Sequence, residues 1–315
     1  MADPRIAILL STYDGERFLE AQLESFLAQC DAAGNPVDWV LFWRDDGSRD
    51  GTVALMHSFL ARLGPARAVT LRADRRLGVA GSYLALLRAA VAAGFAILAF
   101  ADQDDVWLPA KLERGRAALA RQPPGPALYC ARQMLVDADL RRIGPSFLVR
   151  GPLGFAGALT QNVATGCTLM LNGAAAARVA GAREPAATLH DWWCYLLVTA
   201  AGGAVIFDPE PVVLYRQHAG NLVGAPASLL RRGWAAMRRG PRIYMRVLRQ
   251  NVAALTAQPA LLSPTAQAEL AIVAAALAAR LPAWPWTRLR ALALPGLVRQ
   301  SWAETLVFRL WFLFG

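Results

Sequence analysis

In its N-terminal part the chain alternates short apolar runs with amphipathic helical patterns, and this alternation limits the possible folds more than any other feature. Residues 6–10, Ile6-Ala7-Ile8-Leu9-Leu10, form an uninterrupted apolar run that reads as a buried strand. A helix over residues 16–29 follows, with Phe18, Leu19, Leu23, Phe26 and Leu27 on one face. Residues 39–43 make a second strand. A helix capped by Asp50 and running to Leu63 then turns Val53, Leu55, Met56, Phe59 and Leu60 inward. Residues 68–71 and 95–101 supply a third and a fourth strand, residues 82–93 a third helix, and Pro109 occupies the first turn of a fourth. Strands of this kind separated by helices predict an α/β fold with a mainly parallel sheet flanked by helices. No repeat of solenoid length recurs.

Composition narrows the class. The 315 residues suffice for one large domain with an appendage, or for two ordinary ones, and a 56% hydrophobic content excludes a disordered chain. The longest charge-free apolar stretch, residues 192–207, has 16 residues and contains Gly202-Gly203. It falls short of the roughly 18 to 20 residues that cross a bilayer. Cys30, Cys130, Cys167 and Cys194 are scattered without a Cys-x-x-Cys pair, the pattern of reduced core thiols. Residues 1–6 lack the charged-then-apolar order of a signal peptide, so the cytosol is the expected compartment.

Charge divides the chain sharply. Residues 1–225 carry 21 basic and 21 acidic side chains, whereas residues 226–315 carry 12 basic and 2 acidic ones. The whole formal excess of +10 therefore lies in the last 90 residues. The pattern also changes there, to an Arg- and Trp-rich segment at 229–252, an alanine-rich helix at 266–281 and an amphipathic end at 297–314. We place a boundary at 225, between an N-terminal α/β part and a basic, mostly helical C-terminal region.

In open α/β sheets, ligands bind beyond the carboxyl ends of the strands. Three of the expected strands end in polar clusters: Ser11-Thr12-Tyr13, Asp45-Asp46-Gly47-Ser48 and Asp102-Gln103-Asp104-Asp105. Any one of them also reads as a turn or a helix cap, but all three would lie along one sheet edge. No G-x-G-x-x-G follows the first strand, and Lys111 stands outside any G-K-[ST] loop. A bound phosphate therefore needs other neutralisation. The carboxylates of Asp102-x-Asp104 suit Mg²⁺ or Mn²⁺, which takes one or two carboxylates together with phosphate oxygens and waters. Further on, Asp191 opens a helix beside Trp192 and Trp193, a carboxylate placed to act as general base next to an apolar platform for a sugar face. Arg216 and His218, in Tyr215-Arg216-Gln217-His218 with Asn221 nearby, can meet phosphate or metal.

At these residues the sequence resembles the inverting, GT-A fold glycosyltransferases of family 2, in particular the bacterial rhamnosyltransferase-like branch. The matching runs also include Arg44 to Thr52, Leu77-Gly78-Val79 and Thr165-Gly166-Cys167-Thr168, in family order over about residues 5–224. The resemblance implies that Thr12 and Tyr13 line the base pocket and that Asp45 or Asp46 bonds the pyrimidine or ribose. It implies that Asp104 binds the metal bridging the diphosphate, with Asp102 on the ribose or in the metal shell. It implies Asp191 as catalytic base, and Arg216 and His218 approaching the diphosphate. The branch often has Asn before Leu-Gly-Val, where this chain has Arg76.

The implied reaction moves L-rhamnose from dTDP-β-L-rhamnose to a hydroxyl of a polyprenyl-diphosphate-linked glycan, as in O-antigen synthesis. A UDP-hexose is the alternative donor that the motifs do not separate. A non-catalytic carbohydrate-binding protein would be expected to lack the DxD or base carboxylates, which this chain keeps. A nucleotidyltransferase would be expected to carry a glycine-rich phosphate loop, which it lacks. Arg231, Arg232, Arg238, Arg239, Arg242, Arg246 and Arg249, with Trp234, Met237 and Tyr244 among them, fit an anionic membrane surface at the inner face of the bacterial cytoplasmic membrane. No recognised nucleic-acid module accompanies them, so nucleic acid is not an expected partner.

Overall fold

The computed structural model describes residues 4–218, 229–280 and 284–315, and the side chains of all of these except 229–240. Eleven strands are present among them: β1 (Ile6–Thr12), β2 (Trp39–Asp45), β3 (Ala68–Thr70), β4 (Ile97–Ala101), β5 (Val106–Trp107), β6 (Ala127–Ala131), β7 (Met134–Val136), β8 (Arg142–Pro145), β9 (Met170–Asn172), β10 (Ala204–Asp208) and β11 (Val213–Arg216). Seven form a central sheet in the order β10-β6-β9-β4-β1-β2-β3, and four form a smaller one, β5-β11-β7-β8. Every pairing in the large sheet is parallel except those of β9, which runs antiparallel to both β4 and β6. The mainly parallel sheet expected from the alternation is therefore present.

The chain from β1 winds outward through β2 and β3, then returns to place β4 on the other side of β1. The loops leaving β1 and β4 consequently diverge, and a crevice opens between them at the carboxyl ends of the strands. Successive residues of β1 enter different cores. Ala7 and Leu9 face one, and Ile6, Ile8 and Leu10 the other. Burial on both faces is why these strands read as continuous apolar runs without alternation.

The helices are α1 (Glu16–Leu27), α2 (Thr52–Leu63), α3 (Gly78–Ala92), α4 (Lys111–Ala120), α5 (Phe155–Thr160), α6 (Gly173–Gly181), α7 (His190–Ala200), α8 (Leu229–Thr256), α9 (Pro264–Ala278), α10 (Trp284–Leu292) and α11 (Trp302–Phe314). Helices α1, α2 and α4 cover one face of the sheet, and α3, α6 and α7 the other. Two starts in the N-terminal part differ from the sequence expectation. Helix α3 begins at Gly78, four residues early, because the Asp46 carboxylate accepts the amides of Leu77 and Gly78 from across the sheet edge. A cap supplied by a distant residue leaves no local signal. Helix α4 begins at Lys111, after a turn at 109–110 in which the Pro109 carbonyl accepts the amide of Cys30.

The boundary placed at 225 lies outside the described residues. Beyond it, the C-terminal helices do not enclose a core of their own among the described residues. Met245, Leu248, Val252, Leu270, Val273, Ala291, Phe308 and Phe312 join the same buried cluster as Leu196 and Leu197 of α7 and Leu159 of α5. Arg178 of α6 donates to the Leu261 carbonyl, and Tyr244 of α8 to that of Thr160. Because the cluster is shared, Phe312→Ala should lower the unfolding free energy of the whole chain by about 3–5 kcal/mol. Urea denaturation followed by fluorescence and by circular dichroism checks this. A separate early transition confined to the C-terminal helices would contradict it.

Candidate active site

The loops leaving β1, β2 and β4 are tied together by side chains that act on backbone groups. Gln103 Oε1 accepts the Tyr13 amide at 2.9 Å, and its Nε2 donates to the Tyr13 carbonyl at 2.9 Å, so one side chain spans the crevice between β1 and β4. The position of Gly15 explains itself here: a Cβ there would lie 2.3 Å from Gln103 Oε1. Asp14, in the left-handed region at φ 45°, accepts the Arg49 amide and donates its own amide to Ser48 Oγ. The caps are exchanged between neighbours as well. Asp50 accepts the Glu16 amide at the start of α1, while Glu16 accepts the amide of Gly51 just before α2. Asp50 also accepts the Thr52 amide at the first residue of the helix it was expected to cap.

Thr12 is buried. Its hydroxyl accepts from Trp43 Nε1 and donates to Asp45 Oδ1, so it supports the loop from within instead of lining a base pocket. Asp45 also accepts the amides of Gly47 and Ser48 and the Ser48 hydroxyl. Asp46 is buried in an ion pair with Arg44 at 2.6 Å, and both its oxygens are occupied by Arg44, Leu77 and Gly78. Burial opposes its ionisation, but Arg44 and the two amides hold the carboxyl below the usual range. Of the two carboxylates considered for ribose or base, Asp46 is thus enclosed, and Asp45 is the partly exposed one. Tyr13 is exposed, and the Arg76 guanidinium lies 4.0 Å from its ring centroid. The residue that departs from the branch's usual Asn therefore makes a cation–π contact with the aromatic residue of the first loop.

The loop after β4 gathers the charge. Asp102 accepts from the Tyr83 hydroxyl at 2.9 Å. Burial and the neighbouring Asp104 raise its pKa to about 7, with Tyr83 opposing. Asp105 is fully buried, accepts the Arg216 amide, and is raised well above the carboxylate range by burial and by Asp104 and Asp102. Lys111, the chain's one lysine, is also fully buried. Its Nζ stands 3.4 Å from the Trp107 ring centroid, and burial lowers its pKa to about 7.

Two groups of metal-type donors occur here among the described residues. Oxygens of Asp102 and Asp105 and the Cys167 sulfur lie within 4.8 Å of one another, but Asp105 and Cys167 are enclosed. Asp104 Oδ2 and His218 Nε2, both partly exposed, stand 2.9 Å apart. The two share a hydrogen bond, so the His218 ring orients the Asp104 carboxylate. Oxygen donors, crowded like charge and partial exposure fit a hard divalent cation at Asp104, with Asp102 beside it.

Arg216 is placed differently from the expectation. Its side chain donates to the carbonyls of Asp104 and Ala138, and its guanidinium stacks 4.5 Å from the Phe18 ring centroid. It anchors the acidic loop to β11 and to the 137–141 turn. Asn221 lies outside the described residues.

Asp191 stands in the first turn of α7, near enough to Asp102 to help raise its pKa. It accepts the amides of Gly166 and Trp192 and bonds the Asn162 side chain. Burial raises its pKa to about 6 despite those bonds. Gly166 packs tightly here, since a Cβ would come 3.0 Å from His190 Nε2. His190 stacks on Tyr83 at 4.0 Å and on Phe100 at 5.3 Å, and burial depresses its pKa to about 3, so the ring is neutral. Tyr83 thus touches Asp102 with its hydroxyl and the neighbour of Asp191 with its ring. Neither Gln103 nor Tyr83 was singled out from the sequence. Tyr83 sits mid-helix among apolar residues and carries no motif signal. The tryptophan platform needs correction: Trp193 is buried in the core and offers no face, and Trp192 is half-buried with its Nε1 on the Ala158 carbonyl.

Comparison with known proteins agrees with this geometry. Residues 7–161 match the model of the family described as glycosyl transferase family 2. A Shigella flexneri protein, dTDP-rhamnosyl transferase RfbG, is 27% identical over 241 residues, covering 70% of this chain and 75% of its own length. Among solved structures, residues 1–349 of TarS from S. aureus, in complex with UDP-GlcNAc, superpose with a TM-score of 0.57 at 12% identity. That superposition covers 91% of this chain and 80% of the other. At such identity the likeness speaks for the fold, and the fold is GT-A. The chain carries a glycosyl transferase family 2 domain on that fold, and it is a glycosyltransferase.

Proposed function

We propose that the protein transfers L-rhamnose from dTDP-β-L-rhamnose to a hydroxyl of a lipid-linked glycan, with inversion at the anomeric carbon. The acceptor would be a polyprenyl-diphosphate-linked intermediate of an O-antigen-like bacterial surface polysaccharide. The enzyme would work at the inner face of the cytoplasmic membrane, held there peripherally. One observation carries the choice of sugar: the relative named as a dTDP-rhamnosyl transferase aligns with 70% of the chain.

The residues support a single displacement. Asp191, raised to about 6, is ionised at neutral pH and basic enough to take the acceptor hydroxyl's proton as the oxygen attacks. The proton moves to the carboxylate, the new bond forms at the anomeric carbon, and the nucleoside diphosphate departs with the electron pair. Gly166 and Trp192 hold the carboxylate in place through their amides. Asp104, oriented by His218, would hold Mg²⁺ or Mn²⁺ with Asp102 in its surroundings. When bound, the cation supplies positive charge to the departing diphosphate. Tyr13, beneath Arg76, is the exposed aromatic surface available to a pyrimidine.

Four measurements test this reading. Asp191→Asn should keep donor binding and lose transfer by about 10²- to 10⁴-fold. In the native enzyme the transfer rate should fall about tenfold per unit as pH drops below about 6, because protonation removes the base. Transfer at native rates in Asp191→Asn would remove the assigned base. Asp104→Asn should abolish the dependence of donor affinity on Mn²⁺ while leaving thermal unfolding in place. An unaltered metal response would move the cation elsewhere. Calorimetry with dTDP-L-rhamnose, UDP-glucose, UDP-galactose and GDP-mannose, each with and without Mn²⁺, should show selective binding of the dTDP sugar. Selection of a UDP sugar would retain the mechanism and replace the donor.

A further inference from the structure

Helix α11 carries two apolar faces, and only one of them meets the protein. Phe308 and Phe312 are buried in the shared core. Trp302, Leu306, Leu310 and Phe314 recur every four residues on the other side and are 83%, 52%, 48% and 77% exposed. On a helix of 3.6 residues per turn this spacing drifts by only about 40° per step, so the four side chains form one continuous outer stripe. Among the described residues, twelve large hydrophobic side chains are exposed, and seven lie between Ile243 and Phe314. An outward apolar stripe concentrated on the C-terminal helices marks a contact surface.

Charge identifies what the stripe meets. Arg242, Arg246 and Arg249 are exposed along α8 at helical spacing and line one groove with Gln250 and Ala253. Arg249 donates to the Gly315 carbonyl at 2.7 Å, which puts this row beside the C-terminal end of α11. Arg309 is exposed on α11 itself. Residues 226–315 contain just two acids, Glu269 and Glu304, against twelve arginines. A second copy of the chain would bring like charge against like charge. An anionic bilayer brings the opposite charge and an apolar layer immediately below it. Tryptophan and phenylalanine at the stripe's ends suit the headgroup boundary, and arginine stems extend to phosphate. No helix among the described residues is long and apolar enough to cross a membrane. With 13 residues, α11 is about 20 Å long and would lie in the plane of the interface.

We propose that the outer stripe of α11, flanked by the Arg242–Arg246–Arg249 row of α8, is the surface by which the enzyme docks on anionic lipid. This deepens the membrane-side reading above and names its residues. The test is sedimentation of the full-length protein with phosphatidylglycerol-rich vesicles and with pure phosphatidylcholine vesicles. The triple variant Trp302→Ser, Leu306→Ser, Leu310→Ser should lose about tenfold or more of its partition to the anionic vesicles. Arg242→Gln with Arg246→Gln should lose about tenfold and most of the preference for anionic over neutral lipid. Both variants should retain native thermal unfolding and donor affinity, because every altered side chain is exposed and distant in sequence from the catalytic loops. Equal sedimentation of native and variant proteins would overturn the proposal. So would a native dimer in light scattering that the triple variant converts to monomer, since the stripe would then join two copies. Donor affinity reports on the transfer reading alone, so a failure there leaves the vesicle result to be judged by itself.

Discussion

The catalytic edge of this protein depends on a buried carboxylate that contributes nothing to solvent. Asp46 sits at the end of β2, enclosed, with Arg44 on one oxygen and the amides of Leu77 and Gly78 divided between the two. Those contacts start α3 four residues before its own sequence would and fix the segment that holds Arg76 over Tyr13. Helix α3 in turn carries Tyr83, which reaches Asp102 and stacks on His190. An unpaired buried charge costs several kcal/mol, so neither Arg44 nor Asp46 can be withdrawn singly without disturbing this arrangement. The pair therefore fixes the separation of three loops, even though it faces none of the substrates proposed for them.

The second organising element is the acidic loop after β4. Four polar residues in succession divide their work by burial. Gln103 closes on Tyr13, Asp105 turns inward to the Arg216 amide, and Asp102 and Asp104 stay partly exposed. The inward carboxylate and the buried Lys111 lie in one low-dielectric region, where burial drives each toward its neutral form. The repulsion between Asp104 and Asp102, which together with burial raises Asp102 to about 7, is what a divalent cation would relieve. Asp191 is tuned by a different route. It owes its raised pKa mainly to burial at the start of α7, partly offset by hydrogen bonds. The two remain linked, because the Asp191 charge also helps to raise Asp102.

The C-terminal helices turn a charge imbalance into a structural role. Their inner faces complete the core beneath α5 and α7, which ties their stability to that of the catalytic part. Their outer faces carry exposed arginines such as Arg242 and Arg246 and the exposed aromatic and aliphatic side chains. A single set of helices thereby serves as structural support and as a candidate docking face, with the two functions separated by helical periodicity.

Much of the fold was legible in the residues themselves. Apolar runs such as Ile6-Ala7-Ile8-Leu9-Leu10 can be buried on both faces only in a sheet covered by helices, and polar clusters ending those runs must collect at one edge. Local chemistry of that kind survives in linear order, and it marked Asp102, Asp104, Asp191 and His218. The chain order could not show which polar side chains spend themselves on the protein. Thr12, Asp46 and Arg216 look like ligand contacts in sequence, yet each is buried and bonded to groups from other elements. Gln103 stood in a polar cluster that did not show its partner, and Tyr83 gave no signal, because what they hold lies 90 and 19 residues away. Periodicity marked the end of the chain as amphipathic but not which face of α11 the core would claim. Hydrogen-bond demand and burial are properties of neighbours in space, so only the tertiary structure decided which of these side chains stayed available for chemistry.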